Sequence, residues 1–279
     1  MADVKTTVPE IQARKQSGEK ITVLTAYDYP WALLVDRAGI DVVLVGDSLG
    51  MVVLGYPDTV SVSMDEMLHH LKAVTRAVKR ALVVVDMPFG SYNVTVEKAI
   101  ENANRLMKEG RADAVKLEGG RPMAGTVAAL VGAGIPVQGH IGLTPQTASA
   151  LGGFKVQGQN AEAARRLIAD ARALAAAGCF SIVLEAIPAP IARLITEAVD
   201  VPTIGIGAGA DCDGQVLVIH DMVGLFDRFT PKFVKQYARI NETVAQAIAA
   251  YKRDVQDGRF PETHHSFGMK AEELDKLRS

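Results

Sequence analysis

Short runs of valine, isoleucine and leucine recur along the chain, separated by stretches whose apolar residues return every three or four positions. Eight such runs stand out, at residues 21–26, 42–46, 82–87, 114–117, 136–139, 182–184, 202–206 and 215–219. They are continuously apolar rather than alternating, as parallel strands buried on both faces should be. Eight strands alternating with helices predict an α/β fold, a single (β/α)8 TIM barrel. A doubly wound open sheet is the alternative.

Helix signals fill the intervals. Ser63 and Glu66 have the spacing of a capping box ahead of the stripe Met67, Leu68, Leu71, Val74 and Val78. Thr95 and Asn160 are placed to cap two more helices. Gly39, Gly110, Gly134 and Gly178 each follow a helical stretch and are expected as left-handed helix stops. Residues 1–20 predict a helix preceding the barrel and residues 232–256 a terminal helix. The chain is expected to be one domain, with the barrel over about 20–256 and a loose tail over about 257–279. Helix-to-strand connections are short, whereas residues 48–62, 88–94 and 141–159 form long strand-to-helix connections. In a parallel barrel these all emerge at the C-terminal face, where barrel enzymes keep their chemistry.

Composition narrows the class. The 279 residues are 48% hydrophobic and 22% charged, with a net charge of −2, so no basic excess points to nucleic acid. Two cysteines, Cys179 and Cys212, are too few and too far apart for a disulfide framework or a cysteine zinc site. The N-terminus lacks a secretory apolar core, and no apolar run reaches the roughly 18 residues of a membrane span. A cytoplasmic protein is expected.

The strand ends carry the candidate chemistry. Strand two runs into Asp47 and Ser48, strand three into Asp86, strand four into Glu118, strand five into His140 and strand six into Glu185. A buried carboxylate is costly unless paired or bound to a cation. Asp47, Asp86 and Glu118 come from adjacent strands about 4.8 Å apart, so their oxygens could share one hard cation, Mg2+ or Mn2+. Mg2+ usually takes one or two carboxylates directly, which leaves the third to act through water. Lys116 shares a strand face with Glu118 and can hold an anionic group. Glu185, across the barrel mouth, is the candidate general base.

Blander roles exist for each. Asp47 could cap its loop, Asp86 could pair with Lys116, and Glu185 could be a structural ion-pair partner. His140 could ligate metal or wall the pocket. His69 and His70 point apart on one helix, His220 is a weak candidate, and His264 and His265 lie in the polar tail. The glycines of residues 205–209 could cradle an anion or only make a tight turn. The glycine-rich loop around Lys155 could be a mobile lid or an ordered surface loop.

The segments TAYDY (25–29), VGDSLGM (45–51), KLEGG (116–120), GHIGLTPQ (139–146), GFKVQG (153–158) and GIGAG (205–209) resemble ketopantoate hydroxymethyltransferase. The resemblance runs from about residue 20 to about 268 and leaves the end of the tail outside. It implies a barrel of the phosphoenolpyruvate/pyruvate type and a homo-oligomer, typically a decamer. It implies transfer of a hydroxymethyl unit from 5,10-methylenetetrahydrofolate to 2-oxoisovalerate, through an Mg2+-stabilised enolate, to give ketopantoate for pantothenate synthesis. On the matching positions, Asp47, Asp86 and Glu118 would form the Mg2+ site. Asp47, Ser48, Asp86 and Lys116 would bind the oxo-acid, and Glu185 would be the base. A folate-independent C–C lyase or mutase acting on a 2-oxo acid is the rival enzyme. A non-catalytic oxo-acid-binding barrel fits less well, because a binder needs no base.

Overall fold

A computed structural model describes residues 4–278. Its eight parallel strands are β1 (Ile21–Thr25), β2 (Val42–Val45), β3 (Leu82–Asp86), β4 (Ala114–Glu118), β5 (Val137–Gly142), β6 (Ser181–Glu185), β7 (Thr203–Ile206) and β8 (Gly214–Leu217). They form a closed barrel in chain order, and β1 pairs with both β2 and β8, so the open sheet is excluded. Every predicted run holds a strand. The fifth run extends three residues further than predicted, to Gly142, and the last ends two earlier, where β8 stops at Leu217 and Ile219 instead opens a short helix, Ile219–Met222.

The strands are apolar on both faces because each face meets a different partner. Outward residues such as Val43, Val45, Val83, Val85, Val115 and Leu117 pack with Leu71, Leu106 and Leu130 of the surrounding helices. Inward residues such as Val23, Leu44, Leu82, Val84, Val183 and Val216 fill the lower lumen, together with Ile11 of the N-terminal helix Val8–Ser17. That helix closes the bottom of the barrel. It is tied down by Arg14 to Asp41 and Lys15 to Asp213, both at 2.8 Å. Each fully buried aliphatic side chain contributes about 1.5–3 kcal/mol.

Further up the lumen, the inward positions change character. Thr25, Asp86, Lys116, Glu118 and His140 are all buried there. Register makes Asp86 the neighbour of Lys116, and Glu118 the neighbour of His140. The polar layer therefore rests on a dry, rigid floor.

The expected caps form. Ser63 and Glu66 bond reciprocally at the start of Met64–Ala77, Thr95 accepts from Lys98 N, and Asn160 accepts from Ala163 N. Gly110 departs from expectation, because the left-handed residue there is Arg111, at φ 60°. Gly110 is needed for closeness: a Cβ on it would lie 2.2 Å from Leu71 Cδ2. The terminal helix begins later than predicted, at Ile240, and ends at Gln256. Beyond it the chain is exposed and includes a short helix, Ala271–Lys276. Among the described residues, no helix is long and apolar enough to cross a membrane.

Candidate active site

The polar layer opens into a cavity of about 520 Å³ at the C-terminal end of the barrel. Asp47, Ser48, Asp86, Lys116, Glu118 and Glu185 all line it, as does His140. Every site residue expected from the sequence is thus in one space.

Local geometry explains the placement. Gly46 keeps the entrance to the Asp47 loop open, since a Cβ there would sit 2.9 Å from Ser48 Oγ. Asp47 N donates to Asp86 Oδ2 at 3.0 Å, locking the ends of β2 and β3 together. The Ser48 hydroxyl is held 2.8 Å from Tyr27 Oη. Lys116 Nζ lies 2.9 Å from Asp86 Oδ1 and 3.2 Å from His140 Nδ1. On the far side of the ring, His140 Nε2 lies 3.2 Å from Glu185 Oε2. The ring thus stands between the lysine and the candidate base.

Three residues here were not assigned roles from sequence. Gln146, in the loop after β5, donates from Nε2 to Asp47 Oδ2 at 2.8 Å and from its backbone N to Glu118 Oε2 at 3.1 Å. Tyr92 donates to Gln146 Oε1 at 2.6 Å. Tyr27 is the third. Tyr27 and Gln146 lie inside the motif segments, but an uncharged polar residue costs far less to bury than a carboxylate and so does not stand out.

Electrostatics follow from burial. Burial, then the Asp86 charge, pushes the Asp47 carboxyl up to about 7. Burial, then Asp47, raises Glu118 well above the carboxylate range. Burial opposes charge on Lys116, but Asp86, Glu118 and Asp47 outweigh it and hold the ammonium above its usual range. Burial and then Lys116 lower His140. A lysine ammonium can only donate, so His140 Nδ1 accepts and the neutral ring carries its proton on Nε2, towards Glu185.

Three buried carboxylates face one buried ammonium, an imbalance that suits a hard cation. Asp86 Oδ1, despite its closeness to Lys116, receives no well-aligned hydrogen bond and keeps acceptor capacity. The three acids are not drawn to mutual contact. Among the described residues, only the exposed Glu262, His264 and His265 place three ligand atoms within 4.8 Å of one another.

Other candidates resolve differently. His70 Nδ1 lies 2.6 Å from Tyr27 O, and its ring meets His69 edge-on, so the two share no ligand direction. Gly205 lies in β7, and the chain bends after it against close neighbours: a Cβ on Gly207 would meet Phe233 at 2.7 Å, and one on Gly209 would meet Ala189 at 2.4 Å. Close packing accounts for these glycines. The loop carrying Lys155 does reach the cavity, bringing Phe154, Lys155 and Val156 to its mouth opposite Phe226, Phe229 and Phe233.

The model of one family, ketopantoate hydroxymethyltransferase, matches residues 5–263. The chain belongs to that family. A 3-methyl-2-oxobutanoate hydroxymethyltransferase of Syntrophobacter fumaroxidans is 61% identical over 273 residues, covering 98% of this chain and 96% of the relative. That overlap runs past Phe267, so most of the tail lies within the length shared with this relative. The enzyme of the same name from Moorella thermoacetica is 61% identical, covering 94% of this chain and 98% of its own. A phosphoenolpyruvate phosphomutase from Streptomyces platensis shares the fold at TM-score 0.62 and 17% identity, with 98% and 97% of the two chains covered. So does a phosphonopyruvate hydrolase solved with oxalate and Mg2+, at TM-score 0.60 and 15% identity, with 98% and 95% covered.

Proposed function

We propose that the protein transfers a hydroxymethyl unit from 5,10-methylenetetrahydrofolate to 2-oxoisovalerate (3-methyl-2-oxobutanoate), forming ketopantoate for pantothenate synthesis. The observation that carries this is the near-full-length identity to enzymes of that name, joined to a cavity holding all the acids and the lysine such chemistry requires. The same identity favours transfer over the lyase or mutase alternative.

Asp47, Asp86 and Glu118 would hold Mg2+. Bound there, the ion would supply Lewis-acid polarisation of the substrate's keto oxygen. Lys116 offers its ammonium to the oxo-acid carboxylate, and Ser48, oriented by Tyr27, offers a hydroxyl. Glu185 is the base for the C3 proton. Its side chain is 15% exposed, the most open of the acids. Its approach to His140 Nε2 leaves the other carboxylate oxygen for the substrate. The electron pair of the broken C3–H bond forms the new C–C bond to the folate methylene, water supplies the hydroxyl oxygen, and both methylene C–N bonds give way, the two freed nitrogens taking up the C3 proton passed on from Glu185 and one proton of the water. The aromatic mouth at Phe154, Phe226 and Phe229 suits a planar heterocycle such as a pterin.

The working protein is a homo-oligomer, decameric as the resemblance implies. Helix Ile240–Gln256 buries none of its residues in its own chain, which supports docking on another copy.

The test is C3 proton exchange of 2-oxoisovalerate in D2O, followed by NMR. The wild type should exchange only with Mg2+, and product should form only when the folate is added. Glu185→Gln should bind the oxo-acid yet lose exchange by about 100-fold or more. Unimpaired exchange in that variant would remove Glu185 as the base.

A further inference from the structure

Gln146 sits among the acids and touches two of them. Its Nε2 donates to Asp47 Oδ2 at 2.8 Å and to Met87 O at 3.0 Å, and its backbone N–H donates to Glu118 Oε2 at 3.1 Å. Its one acceptor, Oε1, takes the Tyr92 hydroxyl at 2.6 Å, and Tyr92 Oη also accepts from Glu118 N at 3.3 Å. Gln146 is 3% exposed and Tyr92 2%, so water cannot substitute for these partners. We propose that Gln146 is a positioning residue for the cation site, clamping Asp47 and Glu118 by one oxygen each so that the other oxygen faces the cavity.

The clamp has a definite polarity. An amide flip would set Oε1 against the Asp47 carboxylate and the Met87 carbonyl, acceptor against acceptor. The Tyr92 hydroxyl, donating to Oε1, holds the amide the right way round. Without it, two crowded carboxylates would turn away from each other and disperse the donor set. Groups that orient metal ligands in this way typically change metal affinity by about 10–100-fold when removed. The inference rests on the metal role proposed above for these acids.

The test is calorimetric titration of the metal-free protein with Mn2+, an oxygen-seeking probe ion for the Mg2+ site. Gln146→Met keeps the side-chain volume and the backbone N–H but removes the amide. Its Mn2+ Kd should rise at least about 10-fold. Tyr92→Phe should raise Kd in the same direction, by less. A merely structural role would lower the melting temperature or kcat and leave Kd unmoved, and a wild-type Kd in Gln146→Met would overturn the inference. Should Gln146→Met fail to fold, Tyr92→Phe decides by the same criterion. Wild-type protein that takes up no Mn2+ would refute the metal role itself, and the clamp with it.

Discussion

Asp47 keeps a proton in the metal-free native state that the unfolded chain releases more readily. Burial and the Asp86 charge raise its carboxyl from 3.8 to about 7. For a group raised on folding, the stability it lends is fully present below the unfolded value and is lost as pH climbs through the folded one. Glu118 is shifted in the same direction. In chelator, the melting temperature should therefore fall as pH is raised from about 4 to about 7, and Mg2+ should reverse the fall at neutral pH. Asp47→Asn should reduce this slope, melt above the metal-free wild type at pH 7, and lose the response to Mg2+. Identical pH slopes for wild type and variant would show that Asp47 ionises freely in the folded protein. The acids were legible in the sequence because four charges at the ends of apolar strands cannot be solvated core residues by accident. Gln146, Tyr92 and Tyr27 were not, since an amide and two phenols are placed by contacts between segments distant in the chain. His140 was legible as a strand-end residue and possible pocket wall, but its neutral state was not. That state comes first from burial and then from the Lys116 ammonium beside it.

At the scale of elements, two-sided burial made the strands plain, and capping chemistry made the helix starts plain. What could not be read was where one element's end depends on another's side chains. Gly110 shows this: the helix Val96–Lys108 ends where the chain must slip under Leu71 of the neighbouring helix. The local pattern suggested a left-handed glycine, but Arg111 takes that conformation. Opposite consequences follow for the two positions. Gly110→Ala forces a methyl to within 2.2 Å of Leu71 Cδ2 and 2.7 Å of Leu106 O. It should cost about 1–3 kcal/mol, the usual penalty of overpacking, measured by denaturant unfolding. Arg111→Gly relieves a strained backbone at the expense of a more flexible unfolded chain. Its stability should stay within about 1 kcal/mol of the wild type. A well-tolerated Gly110→Ala would mean that the two helices part easily at this point.

For the whole molecule, the flank formed by β7, β8 and β1 is the unbalanced part. The first six strands are each followed by a helix, but β7 runs straight into β8, and β8 is followed by only the four-residue Ile219–Met222 before Ile240–Gln256. Thr22 on β1 and Gln215 on β8 are exposed, and a groove of about 700 Å³ runs along this flank beside Ile40, Met222 and Tyr237. Meanwhile Ile240–Gln256 projects Val244, Ile248, Tyr251 and Val255 to solvent, 45%, 62%, 60% and 46% exposed. Their spacing sets them in one stripe, and a 17-residue helix with such a stripe gains most of its stability from packing it. In the homo-oligomer proposed above, the bare flank of one copy and the apolar helix of another would complement each other, in an exchange that would bury both. The pattern that predicted a terminal helix could not say what packs against it, because periodicity reports an apolar face and not what covers it. Ile248→Glu combined with Tyr251→Glu should lower the mass seen by light scattering to that of a smaller assembly. Gln246→Glu, off the stripe, should leave the mass unchanged. A double variant that keeps the full wild-type mass would show that the stripe does not lie between subunits, and would leave some other surface to hold the assembly together.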